Sequence, residues 1–333
     1  MLACALALLP AAAPASTLDR AGLIRLSASV VRVEAARAQG GYSLGSGVVV
    51  GPGKVATNCH VTREGRTIHV VRGGQRWPAD GQASDPHHDL CVLSVPLLEA
   101  PAVPLGDTHA LQPGERVSAV GFTGGMGLQH SAGKVVARHR LDSAEVIQST
   151  NWFNSGASGG GLFDGSQRLV GILTFRLRGS HAHYYAASVE WLQPLLDDGA
   201  LRSVQPLTGS EAPFWEQPLP DQPRFLQAAV YEREQRWEDL DALATAWAEE
   251  DTTDAQPWVV RGLAQQELGR WPAAQASLEQ ALAIEPASRS ALLRLGLLHA
   301  AQGRIDSARA LLLRLQRLHS ELAAELGRAI EGR

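Results

Sequence analysis

The chain has 333 residues, of which 45% are hydrophobic and 19% are charged. This length and composition suffice to bury a large hydrophobic core and predict two domains. Its formal net charge is −4. Because no block of basic residues occurs, the charge argues against nucleic acid as a partner.

The first fifteen residues predict an export signal. Residues 1–15 are apolar and end in Ala13-Pro14-Ala15, the small-residue pattern of a cleavage site, and the stretch is too short to span a bilayer. We therefore expect cleavage after Ala15, a periplasmic or secreted protein and no transmembrane span. The segment lacks a positively charged start, which leaves open a true start upstream of Met1 or a ragged start of a cytoplasmic protein. A lipid anchor on Cys4 is a weaker alternative.

Short apolar segments bounded by turn residues predict an all-β domain over residues 20–198. We expect strands at 29–33, 44–50, 68–71, 116–122, 133–137, 146–149, 169–175 and 184–188, with a closing helix at 189–196. This density of short strands suits paired barrels better than a parallel sheet.

Three residues with catalytic potential follow one another in this domain in the order His, Asp, Ser. His60 lies in Thr-Asn-Cys-His-Val, Asp89 lies in Asp-Pro-His-His-Asp-Leu, and Ser158 lies in Gly-Ala-Ser-Gly-Gly. Glycines around a serine allow a sharp turn that presents the hydroxyl and nearby N–H groups to one point. The same residue order occurs in double barrels of the chymotrypsin type.

These segments resemble the trypsin-like serine peptidases of the HtrA (Deg) family. The family patterns are Thr-Asn-x-His-Val, Asp-Pro-x-x-Asp-Leu-Ala-Val-Leu and Asn-Pro-Gly-Asn-Ser-Gly-Gly-Pro-Leu, and the likeness covers roughly residues 20–198. Ser155, Ala157 and Gly161 replace Pro, Asn and Pro of the third pattern, and none of these changes removes a reacting group. The family's long regulatory loop looks absent around residues 38–41, and no PDZ-like segment follows.

The resemblance implies a chymotrypsin-like double β-barrel and a set of catalytic roles. Ser158 would be the nucleophile, His60 the base that later protonates the leaving amine, and Asp89 the group that orients the imidazole. The backbone N–H groups of Gly156 and Ser158 would form the oxyanion hole, each donor contributing roughly 3–4 kcal/mol. No cofactor is expected.

The resemblance also implies substrate contacts. Thr174, Phe175 and Arg176 would pair with the substrate backbone as an added strand. Phe153 would lie near the primary specificity pocket and favour an apolar residue before the cleaved bond. The alternative is that Phe153 is a core residue.

Two histidine pairs raise the possibility of a metal site. His87 and His88 are adjacent, and neighbours on an extended segment point to opposite faces, so we interpret them as loop residues. His181 and His183 could share a strand face, but no cysteine or acidic ligand accompanies them. We therefore expect no metal.

Cys59 and Cys91 lie close in sequence to His60 and Asp89. A disulfide between them is conceivable and would suit an oxidising compartment. We slightly favour two separate buried thiols, because side-chain direction decides the pairing.

The last third of the chain predicts helical repeats. Residues 199–223 carry five prolines among polar residues, which indicates an extended linker in which Phe214 and Trp215 could act as anchors. Residues 224–333 then show a period of 34, in which Trp258, Gly262 and Gly269 align with Leu292, Gly296 and Gly303. The period resembles tetratricopeptide repeats, with about three repeats and a capping helix at 320–331.

The sequence therefore predicts an exported serine endopeptidase that acts on proteins or peptides and carries a repeat domain for substrate or partner binding. Two alternatives stay open. In the first, the peptidase fold is inactive and the chain is an adaptor. In the second, a latent peptidase waits for a partner to bind the repeats.

Overall fold

The computed structural model describes residues 20–124, 127–177, 183–207, 209 and 211–332. The expected export signal and His181 lie outside the described residues, and only the backbone of His183 is described.

An eight-stranded antiparallel sheet forms the first half of the β region. A helix, α1 (Arg20–Ser29), precedes it, and a short helix, α2 (Cys59–Thr62), leaves its centre. The strands pair in the order β14 (Arg202–Ser203), β6 (Gly81–Asp85), β7 (Leu90–Ser94), β3 (Lys54–Asn58), β2 (Tyr42–Gly51), β1 (Val30–Arg37), β4 (Gly65–Arg72) and β5 (Gln75–Pro78). Branched side chains such as Val33, Val49 and Val55 fill one face of this sheet and are fully buried.

The second half of the β region is a closed six-stranded barrel. Its strands are β10 (Ala144–Ser149), β13 (His183–Ser188), β12 (Leu169–Leu177), β11 (Gly161–Phe163), β8 (Arg116–Thr123) and β9 (Gly127–Leu141). Leu162 and Leu173 are at most 1% exposed and belong to one buried cluster inside it, whereas Ile172, next to Leu173 on the opposite face of β12, belongs to another. The all-β architecture predicted from the strand pattern and the chymotrypsin-like fold implied by the resemblance are confirmed, with the first unit an open sheet and the second a closed barrel.

Val189–Leu196 follows the barrel as a 3-10 helix that contains Pro194. A helix was predicted there. The tighter form is consistent with Pro194, which has no N–H to donate.

The proline-rich segment 199–223 packs on the first sheet. Its strand β14 pairs with β6, and Leu207 N donates to the Arg63 carbonyl at 2.8 Å. Further along, Phe214 is 2% exposed. The prolines exclude regular structure over most of the segment. Phe214 and Trp215 anchor it to the domain, as the sequence allowed, so the segment is a docked strap.

The remaining chain forms three antiparallel helix pairs and a final helix. The pairs are α3 (Arg224–Arg233) with α4 (Trp237–Glu250), α5 (Gln256–Glu267) with α6 (Trp271–Ile284), and α7 (Arg289–Ala301) with α8 (Ile305–Arg317), and the final helix is α9 (Ala323–Glu331). Gly262 faces Leu278 so closely that an added Cβ would lie 2.7 Å from its side chain. Small residues at the repeat positions therefore permit the close helix contacts that the period predicted.

The repeat helices contact the second barrel at both ends. Near their start, Arg140 forms an ion pair with Asp251 at 3.2 Å, and Phe225 stacks on His139 with ring centroids 4.3 Å apart. Near their end, Arg116 and Lys134 both contact Glu321 at 3.1 Å. Strand β9 supplies His139, Arg140 and Lys134, so it runs along the array from its first repeat to its last.

Within the described part of the chain, every helix is too short or too polar to cross a lipid bilayer.

Candidate active site

His60 and Asp89 are held together at the end of β3. Asn58 ends that strand, and His60 lies in α2 immediately beyond it. His60 Nδ1 is 2.6 Å from Asp89 Oδ2, and the His60 backbone N–H donates to Asp89 Oδ1 at 2.8 Å. Both carboxylate oxygens are thus engaged, which fixes the ring orientation and directs Nε2 away from the carboxylate.

Asp89 is almost completely buried, at 1% exposure, in a left-handed turn with φ +59°. Its carbonyl accepts bonds from Asn58 Nδ2 at 2.9 Å and from the Cys59 backbone N–H at 3.2 Å. Aspartate adopts this backbone region more readily than most residues. The turn and its two donors therefore position the carboxylate against the imidazole.

Ser158 lies on the second barrel, in the glycine-rich loop before β11. Gly159 follows with φ +86°, and a Cβ there would lie 2.1 Å from the Ser46 carbonyl oxygen, so glycine is required. The Ser158 hydroxyl lies 3.4 Å from the Thr174 carbonyl oxygen. Among the described residues, no hydrogen bond joins this hydroxyl to His60.

The peptide between Ser155 and Gly156 leaves an N–H available at the expected oxyanion hole. Gly124 N donates to the Ser155 carbonyl at 2.9 Å. Because C=O and N–H point in opposite directions across a trans peptide, this bond turns the Gly156 N–H to the other side. Neither the Gly156 nor the Ser158 N–H has an acceptor within the described ranges.

Ser46 on β2 clamps this loop, and the sequence analysis missed it. Its backbone N–H donates to the Ser158 carbonyl at 2.7 Å, and its hydroxyl donates to the Gly156 carbonyl at 2.7 Å. The same hydroxyl accepts the Phe122 N–H at 2.8 Å. The signal in the sequence was a serine between two glycines at 45–47. This pattern is also typical of an ordinary strand, so it did not indicate a contact with the Ser158 loop.

The predicted substrate strand lies on β12. Residues 173–177 pair with β13 along one edge, whereas β11 pairs with residues 169–172 only. From Thr174 onward, the edge opposite β13 is unpaired in the part of the chain that the structure describes. Arg176 donates to Asn154 Oδ1 at 2.6 Å, and the buried Thr174 hydroxyl accepts a bond from Asn58 at 3.2 Å. Phe175 and Thr174 side chains therefore build the site, and their backbone is open to an added strand.

Phe153 belongs to the barrel core and also borders a small cavity. It is 6% exposed and packs against Tyr184 with centroids 5.1 Å apart. The adjoining cavity of about 30 Å³ is also lined by Ala157, Leu173 and His130. Burial lowers the pKa of His130, which favours its neutral form. The two interpretations of Phe153 are thus compatible.

Trp215, from the proline-rich strap, lies directly beside the His60 ring. Its ring meets that of His60 edge-on at 5.6 Å and stacks on Phe175 at 5.1 Å. Phe214 next to it packs against Phe175 and Phe225. The strap therefore contributes an aromatic wall between His60 and the open edge of β12.

Cys59 and Cys91 form a disulfide, so the favoured expectation of two separate thiols was wrong. Residues 57 and 91 are paired on β3 and β7, and Cys59 begins α2 just beyond this pair. The register of the two strands brings both side chains to one side. The bridge joins the residue before His60 to a residue two positions after Asp89.

The expectation that His87 and His88 point apart was also wrong, because their segment is a turn rather than an extended strand. His88 Nε2 lies 2.9 Å and His87 Nε2 lies 3.4 Å from Asp142 Oδ2. His88 Nδ1 contacts Asp85 at 2.6 Å. These two histidines and Asp142 offer ligand atoms within 4.8 Å of one another, which is a donor set that could hold a divalent ion.

Part of the chain is similar to known proteins. Residues 45–172 match the family described as "Trypsin-like peptidase domain". Among curated relatives, a "Probable periplasmic serine endoprotease DegP-like" of Marinomonas sp. (strain MWYL1) is 36% identical over 136 residues, which are 39% of this chain and 29% of the relative. A protein of the same description from Chlamydia pneumoniae is 31% identical over 143 residues, which are 41% of this chain and 29% of the relative.

Residues 45–172 form a trypsin-like peptidase domain. Its resemblance to the HtrA (Deg) family is confirmed, and its homologues are named periplasmic serine endoproteases. The chain spans less than a third of the length of these relatives.

The fold and the repeats find separate matches. The crystal structure of "Rv3671c protease from M. tuberculosis, active form" superposes with a TM-score of 0.50 at 21% identity, covering 62% of this chain and 99% of that one, which shows the fold. Residues 259–323 match the family described as "Tetratricopeptide repeat", so the predicted repeat type is confirmed.

Proposed function

We propose that the chain is a serine endopeptidase in which Ser158, His60 and Asp89 act as the catalytic triad. The contact that carries this proposal is the 2.6 Å bond between His60 Nδ1 and Asp89 Oδ2, in which the left-handed turn at Asp89 positions the carboxylate. With Nδ1 occupied by the carboxylate, Nε2 is left to accept a proton from the Ser158 hydroxyl. In the described arrangement the hydroxyl points to the Thr174 carbonyl, so a rotation of its side chain would precede attack.

The oxyanion of the reaction would be held by the N–H groups of Gly156 and Ser158. Both groups lack acceptors within the described residues. The peptides that carry them are held at their carbonyls, because Gly124 N–H donates to the Ser155 carbonyl and Gly160 N–H donates to the Ala157 carbonyl. Donors that are already oriented stabilise the developing charge without rearrangement, by roughly 3–4 kcal/mol each. The loop is therefore compatible with the tetrahedral intermediate of acyl transfer.

Substrates would be extended protein or peptide segments that pair with residues 174–176. The cavity beside Phe153 is about 30 Å³, too small for a large aromatic ring, so we infer a preference for small apolar residues before the cleaved bond. Trp215 would border the adjoining subsite because it touches both His60 and Phe175.

The predicted domain limits, with the peptidase domain at 20–198, the linker at 199–223 and the repeats at 224–333, stay part of this proposal. Export to the periplasm or the cell exterior is proposed from residues 1–15 and from the homologues' names. The repeats would bind a protein partner or a substrate, since tetratricopeptide arrays present extended binding surfaces.

A latent peptidase is the second candidate. Two observations favour it over an inactive adaptor: the Ser158 hydroxyl is turned to Thr174, and Trp215 lies against His60. Both features would be reversed by side-chain rotations, whereas the expected catalytic groups are all present.

The deciding experiment is cleavage of unfolded casein by the full chain and by its Ser158→Ala variant. We expect cleavage by the first and a loss of roughly 10⁶-fold in kcat for the second, because no nucleophile remains. A fluorophosphonate probe, which reacts covalently with an activated serine, should label the first alone. Equal cleavage by both folded proteins would refute the triad. Labelling that occurs only with added unfolded protein would favour latency.

A further inference from the structure

A cavity of about 380 Å³ lies between the second barrel and the repeat helices. Strand β9 forms one wall through residues 136–140, and helices α3, α5 and α7 contribute to the others. The volume is that of a typical small-ligand or short-peptide site. Apolar side chains such as Val136, Phe225, Trp247 and Val260 line part of it. The groove of the repeats therefore faces the peptidase domain and keeps an internal space there.

Arg294, on α7, is a cation without a partner in this cavity. No hydrogen bond or ion pair joins its guanidinium to any residue in the described ranges. Protein surrounds the side chain closely enough for burial to lower the pKa of Arg294, although Glu232, Glu325 and Glu267 oppose this shift from beyond ion-pair distance. The residue keeps part of its accessible surface, and since it lines the cavity, that surface faces the enclosed space.

The other arginines of the cavity are paired. Arg138 bonds to Glu145, Arg140 forms an ion pair with Asp251 at 3.2 Å, and Arg289 lies 3.6 Å from Glu115. An enclosed guanidinium stays charged, and an enclosed charge without a partner is costly. The contrast with its neighbours therefore indicates that Arg294 is left for a partner other than the described residues of this chain.

We propose that this cavity binds the C-terminal end of a peptide, with Arg294 holding its α-carboxylate. A guanidinium presents a planar fork that fits the two oxygens of a carboxylate. Glu145, Glu232, Asp254 and Glu285 also line the cavity and would repel a ligand with many negative charges. A ligand with one carboxylate on an apolar body would pair with Arg294 and would carry too little negative charge to be repelled by the acidic lining residues.

Backbone groups of such a peptide find further counterparts among the lining residues. The Gln256 Oε1 acceptor and the Arg138 Nε donor are buried without a hydrogen-bond partner in the described structure. An amide N–H and a carbonyl of the peptide are the groups that these atoms require. This inference deepens and rests on the proposed function, because every cleavage by an endopeptidase creates a new α-carboxylate. A C-terminus of a separate protein has the same chemistry.

The site can be tested by equilibrium dialysis of the full chain carrying Ser158→Ala, which prevents turnover. One probe is a pool of randomised N-acetylated tetrapeptides with a free carboxylate, and the other is the same pool with a C-terminal amide. We expect the carboxylate pool to be retained at least tenfold more strongly, with apolar last residues enriched.

Two substitutions localise the effect. Arg294→Met keeps the length and apolar stem but removes the charge, so it should fold and should reduce retention of the carboxylate pool to that of the amide pool. Arg294→Lys should bind at an intermediate level because the fork is lost. Arg309→Met is the control, since Arg309 is 64% exposed and pairs only loosely with Asp306 at 3.7 Å.

Equal retention of the two pools, retention of neither, or undiminished retention by Arg294→Met would overturn the proposal. Retention of dodecanoate in place of the peptides would overturn the assignment of a peptide. The outcome is separable from that of casein cleavage: a chain that retains the carboxylate pool but cleaves nothing would keep this site and lose the peptidase. The reverse result would lose only this site.

Discussion

At the residue scale, the site depends on polar atoms that hold the reacting groups as well as on those groups. Ser46 illustrates this, because its hydroxyl receives the Phe122 N–H and donates to the Gly156 carbonyl. It thus joins β8, which carries Phe122, to the loop that carries Ser158. A buried hydroxyl with two such bonds contributes roughly 1 kcal/mol for each bond.

Ser46→Ala should therefore lower kcat by about tenfold to a hundredfold with a smaller change in KM, because the Gly156 peptide loses its anchor. Steady-state kinetics on a peptide ester would measure this. Ser166→Ala is a matched control, since Ser166 lies in an exposed turn and only its backbone is hydrogen-bonded to Asp164. A variant with unchanged kcat would show that the loop keeps its shape without Ser46.

His88 makes folding sensitive to pH. Burial alone would lower the pKa of His88. The Asp85 and Asp142 carboxylates outweigh burial, so the net pKa of His88 is raised. For Asp85, burial alone would raise the pKa. The hydrogen bonds that His88 donates to Asp85 outweigh burial, so the net pKa of Asp85 is lowered. A raised histidine pKa stabilises the fold below its unfolded value of about 6.5, and the effect is lost as pH rises through the folded pKa.

His88→Gln should thus cost more free energy of unfolding at pH 6 than at pH 9. Urea denaturation of both proteins at the two pH values measures the difference. His319→Asn, at an exposed position in the repeats, should show no such dependence. A cost that is the same at both pH values would mean that His88 acts through packing on Trp191 rather than through charge.

The candidates His60, Asp89 and Ser158 could be named from the sequence because residue types and their spacing can be read along the chain. It did not predict how the turn at 86–89 gathers His87 and His88, because the left-handed φ of Asp89 has no sequence signature. The Cys59–Cys91 bridge was missed for a similar reason: pairing depends on side-chain direction at a strand end.

At the scale of elements, the proline-rich strap shows what composition can and cannot predict. Its prolines correctly exclude helix and long strand over most of 199–223. They say nothing of where the segment runs, which is set by the burial of Phe214 and by the stacking of Trp215 on Phe175. The strap therefore borders the candidate site beside His60, whereas the sequence predicted only a linker with two possible anchors.

Trp215→Ala should widen the subsite next to the primary specificity pocket. We expect the ratio of kcat/KM for a bulky over a small residue at the second position before the cleaved bond to rise at least tenfold. Paired peptide substrates that differ at this position provide the measurement. Trp271→Ala, which removes an indole that is 38% exposed in the repeats, is the control. A ratio that does not change would place Trp215 outside the substrate path.

At the scale of the whole molecule, the repeats and the barrel share buried surface. Phe225 is 3% exposed at the start of α3, where it stacks on His139 and lies 6.1 Å from Tyr185. The repeat period predicted the helices themselves. Their placement on β9 could not be predicted, because it depends on contacts such as Arg140 with Asp251 between residues more than a hundred positions apart.

Phe225→Ala should therefore destabilise both domains together, by about 3–5 kcal/mol, since it leaves a cavity at their junction. Guanidinium unfolding followed by tryptophan fluorescence and by circular dichroism would measure this and show whether the two domains then unfold separately. Leu313→Ala, at a site 54% exposed, should change stability by no more than about 0.5 kcal/mol. A similarly small effect of Phe225→Ala would mean that the domains are energetically independent.

The Cys59–Cys91 bridge has one more consequence, for the partial openings that every folded chain undergoes. The chain between the two cysteines closes a covalent ring with a sequence separation of 32, and both His60 and Asp89 lie inside it. When β3 and β7 separate transiently, the covalent ring limits the distance between the imidazole and the carboxylate, because a closed loop has fewer accessible conformations than an open chain. His60 and Asp89 are thus kept within reach of each other even during local openings of the sheet around them.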